Sequence, residues 1–198
     1  MALANSLVMA GARAKIIVHL TAVPLPKVSQ LYRALRGTAP PSGPVIQGHA
    51  RFFSRPSKYT SESWSVQSAI LLSCYDRMGR VLEEPVQRGW QFLAAFNAYL
   101  SLTEKLHQTD TIKRLDINQA YALLTHSGFL THAANAELQR RQCPACLMNY
   151  PILMNQDINT QACPVCSINK NMLRLAWQSS STRRRKDRKS TRLNSSHT

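Results

Sequence analysis

A mainly α fold is predicted for this chain: a helical bundle with a helix-turn-helix-like N-terminal part, joined to a C-terminal four-cysteine module with short β-hairpins. Two observations predict it. Apolar residues recur at i, i+3, i+4 and i+7 through most of the chain ahead of residue 130, with prolines and glycines where helices would start and stop. Four of the five cysteines fall in CPACLMNYPILMNQDINTQACPVC, residues 143–166, as two Cys-x-x-Cys pairs in a segment too short to hold itself by burial.

The first helical segment covers residues 2–21, where Leu3, Leu7, Ala10, Ala14 and Ile17 keep helical spacing and Gly11 is placed to split it into two helices. AVPLP at 22–26 cannot continue a helix, because Pro24 and Pro26 remove donors and restrict the residues before them. It is a turn. Pro26 then opens a helix that Gly37 closes, and between them Val28, Leu31, Tyr32 and Leu35 give the strongest periodic signal in the chain. With Val28, Leu31 and Leu35 turned inward, the outward arc carries Lys27, Gln30 and Arg33, with Ser29 and Arg36 at its margins. Helix, short turn and a second helix with a basic polar face outline a helix-turn-helix DNA reader over residues 12–37; the plainer alternative is an amphipathic helix with a solvated basic face. A proline-rich connector follows, expected to pack through Phe52 and Phe53. Helical patterns resume over 62–82, over 85–108 from Pro85, and from an Asp116 cap to Gly128. Trp64, Trp90, Phe92, Phe96 and Tyr99 recur there at core spacing and are read as packing.

Sixteen residues separate the two cysteine pairs, enough for each turn to aim two sulfurs at one point. Four thiolates make a closed tetrahedral shell for one structural Zn²⁺, ligated by Cys143, Cys146, Cys163 and Cys166. A redox pair would need only one Cys-x-x-Cys, and a disulfide pairing would need an oxidising compartment. MALANSLVMAGARA has no basic region ahead of an apolar run, and Asn5 and Ser6 interrupt that run, so the expectation is a cytoplasmic protein without a signal peptide or membrane span. Cys74, alone in AILLSCY, reads as a buried small hydrophobe. The six histidines are scattered, with no HExxH and no nucleophile motif, and a closed metal shell leaves no position for water. No enzyme is expected.

Charge narrows the partners. Twenty-five Lys and Arg against ten Asp and Glu give +15, a field that gathers polyanions, so nucleic acid leads over an acidic membrane surface. Residues 187–197, DRKSTRLNSSH, resemble one reading frame of a short-read sequencing adapter, and 187–198 is expected to be an artefact; without Asp187, Arg188, Lys189 and Arg192 the charge is +13. The organisation expected is a helical domain over 1–138 and a zinc-binding module with a basic segment over 139–186. Around the cysteines, Arg140, Arg141, Lys170, Arg174, Arg183, Arg184 and Arg185, with Lys186, are expected to touch phosphates, while Lys27, Gln30, Arg33 and Arg36 offer base readout. A zinc-ribbon adaptor that binds protein partners, without sequence-specific DNA recognition, is the alternative use of the same parts.

AGAR (10–13), LYRALRGTAPPSG (31–43), LLTHSGFL (123–130), CPAC and CPVC run in that order, and together they resemble the FlhC family of flagellar transcriptional activators over roughly residues 2–166. The resemblance implies a helical zinc protein that pairs with an FlhD subunit, as four D and two C chains, and activates flagellar promoters by binding DNA upstream, with RNA polymerase a further candidate partner. The family's zinc ligands carry over to Cys143, Cys146, Cys163 and Cys166. Departures are Leu147 and Met148, where family members often have two glycines, and ARFFSRPSKYTS (50–61) in place of a tryptophan-rich segment.

Overall fold

The protein is described from a computed structural model, over residues 1–44, 49–54, 61–79, 84–104, 114–130, 136–155 and 162–167. Its helices are α1 (Ala2–Met9), α2 (Ala14–Thr21), α3 (Leu25–Arg36), α4 (Ala50–Ser54), α5 (Ser61–Arg77), α6 (Pro85–Thr103) and α7 (Ile117–His126). Strands β1 (Leu138–Gln142) and β2 (Asn149–Leu153) pair antiparallel, with Leu138 opposite Leu153 and Gln142 opposite Asn149.

Gly11 breaks the first segment as expected, at φ +82, a conformation that side chains with a Cβ rarely adopt. Ala22 ends α2 in the left-handed region at φ 56, Pro24 caps α3, and Gly37 at φ +65 closes it with its N–H on the Arg33 carbonyl at 3.0 Å. The inward face of α3 differs from the expectation. Val28 and Tyr32 are fully buried, Leu31 is half-buried, and Leu35 is 41% exposed. The reason is reach: α3 packs on α1 and α2, and Leu35, one turn beyond Leu31, projects past them.

One turn orders the N-terminal helices. The Gly11 carbonyl accepts from Asn118 Nδ2 at 3.3 Å, the Ala12 carbonyl accepts from the Tyr32 hydroxyl, and the Arg13 N–H donates to Asn118 Oδ1 at 2.9 Å. Three polar backbone groups in the α1–α2 turn are thus satisfied by side chains from α3 and α7. α6 packs against α1 and α2 by virtue of Gly89: a Cβ there would lie 2.5 Å from Leu3 Cδ2 and 3.1 Å from the Leu20 carbonyl. Part of the proline-rich connector is helical, as α4, with Phe53 buried and the Phe52 ring tilted against Trp64 at 4.9 Å between ring centres. Phe92, Phe96 and Tyr99 are core residues, as expected of packing aromatics. Trp90 is 43% exposed, because it faces outward from α6 where no other described element covers it.

α7 begins on the Asp116 cap: its carboxylate accepts from the N–H groups of Asn118 and Gln119, both at 2.8 Å, and Gln119 returns a bond to the Asp116 N–H at 3.0 Å. Its far end meets the hairpin, where His126 Nδ1 lies 2.8 Å from Glu137 Oε1 and the Glu137 N–H reaches the His126 carbonyl at 2.9 Å. Among the described residues, no helix is long and apolar enough to cross a membrane.

Candidate metal centre

The first cysteine pair grows out of the β1–β2 hairpin. Cys143 follows the last residue of β1, its N–H bonds the Met148 carbonyl at 3.0 Å, and its carbonyl accepts from the Leu147 N–H at 2.8 Å. That tight turn requires Leu147 to sit at φ +60. The second pair lies on a helical turn over 164–167: Pro164 stands at its start with a pre-set φ, and the Ser167 N–H returns to the Cys163 carbonyl at 2.9 Å. The two turns face each other. Cys143 and Cys166 bring their sulfurs to 3.7 Å, Cys146 and Cys163 to 3.6 Å, and all four lie within 4.8 Å of one another.

These distances decide between the chemical alternatives. A disulfide holds its sulfurs about 2.05 Å apart, so none of the five cysteines is cross-linked. A tetrahedron with metal–sulfur bonds of about 2.3 Å has edges of about 3.8 Å, which the measured pairs match. The four sulfurs therefore form a group within metal-binding distance, with Cys143 and Cys163 buried and Cys146 and Cys166 half-buried.

Its electrostatics are uneven. The N–H groups of Cys146 and Ala145 point at the Cys143 sulfur and stabilise its thiolate, lowering the pKa to about 6. Contacts with the sulfurs of Cys146 and Cys143 hold Cys166 protonated, up to about 12, and burial pushes Cys163 up. Four adjacent thiols cannot all ionise by themselves; a divalent cation supplies the charge that lets them do so.

The hairpin is fastened to the helical body by residues that the cysteine pattern does not reveal. Asp76, near the end of α5, accepts from Arg140 with one carboxylate oxygen and from Asn149 Nδ2 with the other, the latter at 2.6 Å. Ser73 accepts from the Asn149 N–H at 3.3 Å and lies 3.7 Å from the Met148 sulfur. Ala69 of α5 is buried together with Cys143, Cys163, Tyr150 and Ile152, so α5 supplies one wall of the metal module's core.

The basic residues separate into groups. Lys27, Gln30 and Arg33 are exposed on α3. Arg36 reaches back to the Val8 carbonyl at 3.3 Å, where it meets the C-terminal end of α1. Arg140 is paired with Asp76 and lies over the Phe129 ring at 4.5 Å, while Arg141 is half-buried on the same strand. α3 rests on α1 and α2, and the hairpin on α4 and α5, so these groups occupy different elements of the body. Lys170, Arg174, Arg183, Arg184, Arg185 and Lys186 lie outside the described residues.

No match was found among curated proteins. The family described as "Flagellar transcriptional activator (FlhC)" matches residues 1–176 of the chain, a span that takes in every described helix, the hairpin and all four clustered cysteines. With this match over most of its length, the chain belongs to the FlhC family, a family of flagellar transcriptional activators and not of enzymes.

Proposed function

We propose that this protein is a DNA-binding activator subunit that acts with an FlhD-like subunit on flagellar or related promoters, and that it carries one Zn²⁺ in a structural role. The observation that carries the DNA reading is the placement of Lys27, Gln30 and Arg33 on the exposed side of α3, one three-residue turn after α2. Arg and Lys can meet phosphates or guanine, and Gln can pair with adenine in the major groove. The net charge of +15 supplies the long-range attraction. Zinc suits the four-sulfur site because it takes a tetrahedral thiolate shell without redox chemistry, and the closed shell organises a hairpin that has a small core of its own.

The test uses the full chain co-expressed with the FlhD-like subunit of its host. One zinc per chain is expected, together with a mobility shift on a flagellar promoter that outlasts the shift on scrambled DNA as salt is raised. Arg33→Ala should cost about 1–3 kcal/mol if the residue reads a base, and should flatten the salt slope by about one if it meets a phosphate. Equal shifts on both DNAs at every salt concentration would instead indicate an adaptor whose charge binds DNA without reading it.

A further inference from the structure

We propose that a largely apolar groove between α1, α6 and the start of α7 seats an apolar helix of an acidic protein partner; resting on the function proposed above, that partner is the FlhD-like subunit. The groove encloses about 760 Å³, with Met9 and Trp90 on its rim and Leu93, Phe96, Leu100 and Leu115 below. Met9 is 61% exposed and Trp90 43%, while Leu93 and Phe96 are buried beneath them. A half-exposed tryptophan over an apolar floor is a feature of binding surfaces, where aromatic anchors carry much of the affinity.

Charge points to the same place. The chain is 18% charged, yet residues 1–12 contain no side chain that is charged at neutral pH and α6 contains one, Arg88. The Arg88 charge acts on His19, Tyr75 and Tyr121, none of which lines the groove. Among the described residues of the lining, Asp116 is the one ionisable side chain, and the N–H groups of Asn118 and Gln119 engage its carboxylate.

The same charges choose the occupant. Nucleic acid and an anionic lipid surface both need cations at the contact, and the described residues of the groove offer none. A second copy of this chain would bring another +15 and be repelled as it approached. A different protein, apolar where it enters and acidic around the contact, suits both the apolar groove and the chain's net charge of +15. A groove between helices takes such a partner as a helix with anchors at i, i+3 or i+4, and i+7.

The experiment again uses the full chain with the FlhD-like subunit, now with Trp90→Ser, Met9→Ser and, as a control on exposed Lys15, Lys15→Ala. The expected result is a loss of partner affinity of at least about tenfold for each groove variant and none for the control, with zinc content and helical circular dichroism unchanged in all three. A photo-crosslinking residue at position 9 should capture the partner subunit. The proposal is overturned if folded groove variants bind the partner as the parental chain does, or if the crosslinker joins two copies of this chain. A parental chain that binds no FlhD-like subunit overturns the functional reading itself, and with it the occupant, before any variant is compared.

Discussion

Leu147 is the residue at which the metal module departs most from what its backbone asks. At φ +60 an L-residue crowds its Cβ against the neighbouring carbonyl, at a cost of about 1–2 kcal/mol, and an exposed leucine gains little packing in return. The conformation follows from the turn that returns the Leu147 N–H to the Cys143 carbonyl, and glycine adopts it without that penalty. Leu147→Gly is therefore expected to stabilise the metal-loaded protein by up to about 1 kcal/mol, the gain being reduced by the larger backbone entropy glycine loses on folding. Thermal unfolding at saturating zinc measures this, and a lower midpoint in the variant would contradict the strained turn. The uneven acidities nearby have an equally local origin: two N–H groups aimed at one sulfur favour the Cys143 thiolate over its neighbours.

At the scale of elements, α3 is oriented by partners remote in sequence. Tyr32 ties it to the α1–α2 turn, and Asn118, 105 residues beyond Arg13, holds that same turn from α7. Removing the amide leaves a part-buried carbonyl and a part-buried N–H without their partners, each a penalty of about 1–3 kcal/mol to the extent that water cannot replace them. Asn118→Ala should lower stability by roughly 2 kcal/mol and raise hydrogen exchange at Arg13 more than in the middle of α6. Urea denaturation with exchange read by mass spectrometry separates the two effects; unchanged protection of Arg13 would mean the turn stands by itself. Since α2 leaves from this turn and α3 is tied to it through Tyr32, the variant should also weaken promoter preference more than it weakens salt-dependent, unspecific DNA binding.

For the whole molecule, the hairpin and the helical body behave as coupled parts. Ala69 contributes to the metal module's core, and Asp76 joins Arg140 of β1 to Asn149 of β2. The body has an extensive core of its own that runs through α1 to α7. The two therefore differ in what they need from metal. Chelation should melt the hairpin and release Arg140 from Asp76, while most of the helical signal persists; circular dichroism and thiol titration after treatment with a strong chelator check this. Four titratable thiols together with retained helicity are expected. Complete loss of helicity would mean that the metal holds the body as well, and four protected thiols would mean that something other than metal shields the sulfurs.

Much of this molecule was legible in the order of its residues, because the signals concerned are local. Gly11, Pro24, Pro26 and Gly37 set helix ends through their own backbone limits, Asp116 caps α7 through groups two and three residues away, and each Cys-x-x-Cys turn aims its own two sulfurs. The family likeness rested on those same stretches. Other features depend on which distant surfaces meet. Leu35 and Trp90 are spaced like core residues and lie exposed, because burial depends on a neighbour being present and not on periodicity alone. Arg140 looks from its position like a free cation, yet Asp76, 64 residues earlier, engages it. The convergence of the two cysteine turns, the bridging of the α1–α2 turn by Asn118 and the largely apolar groove beside Trp90 were likewise decided only by the tertiary structure. A sequence specifies local conformation through short-range sterics and hydrogen bonds, whereas side chains far apart along the chain become partners only once packing has brought their elements together.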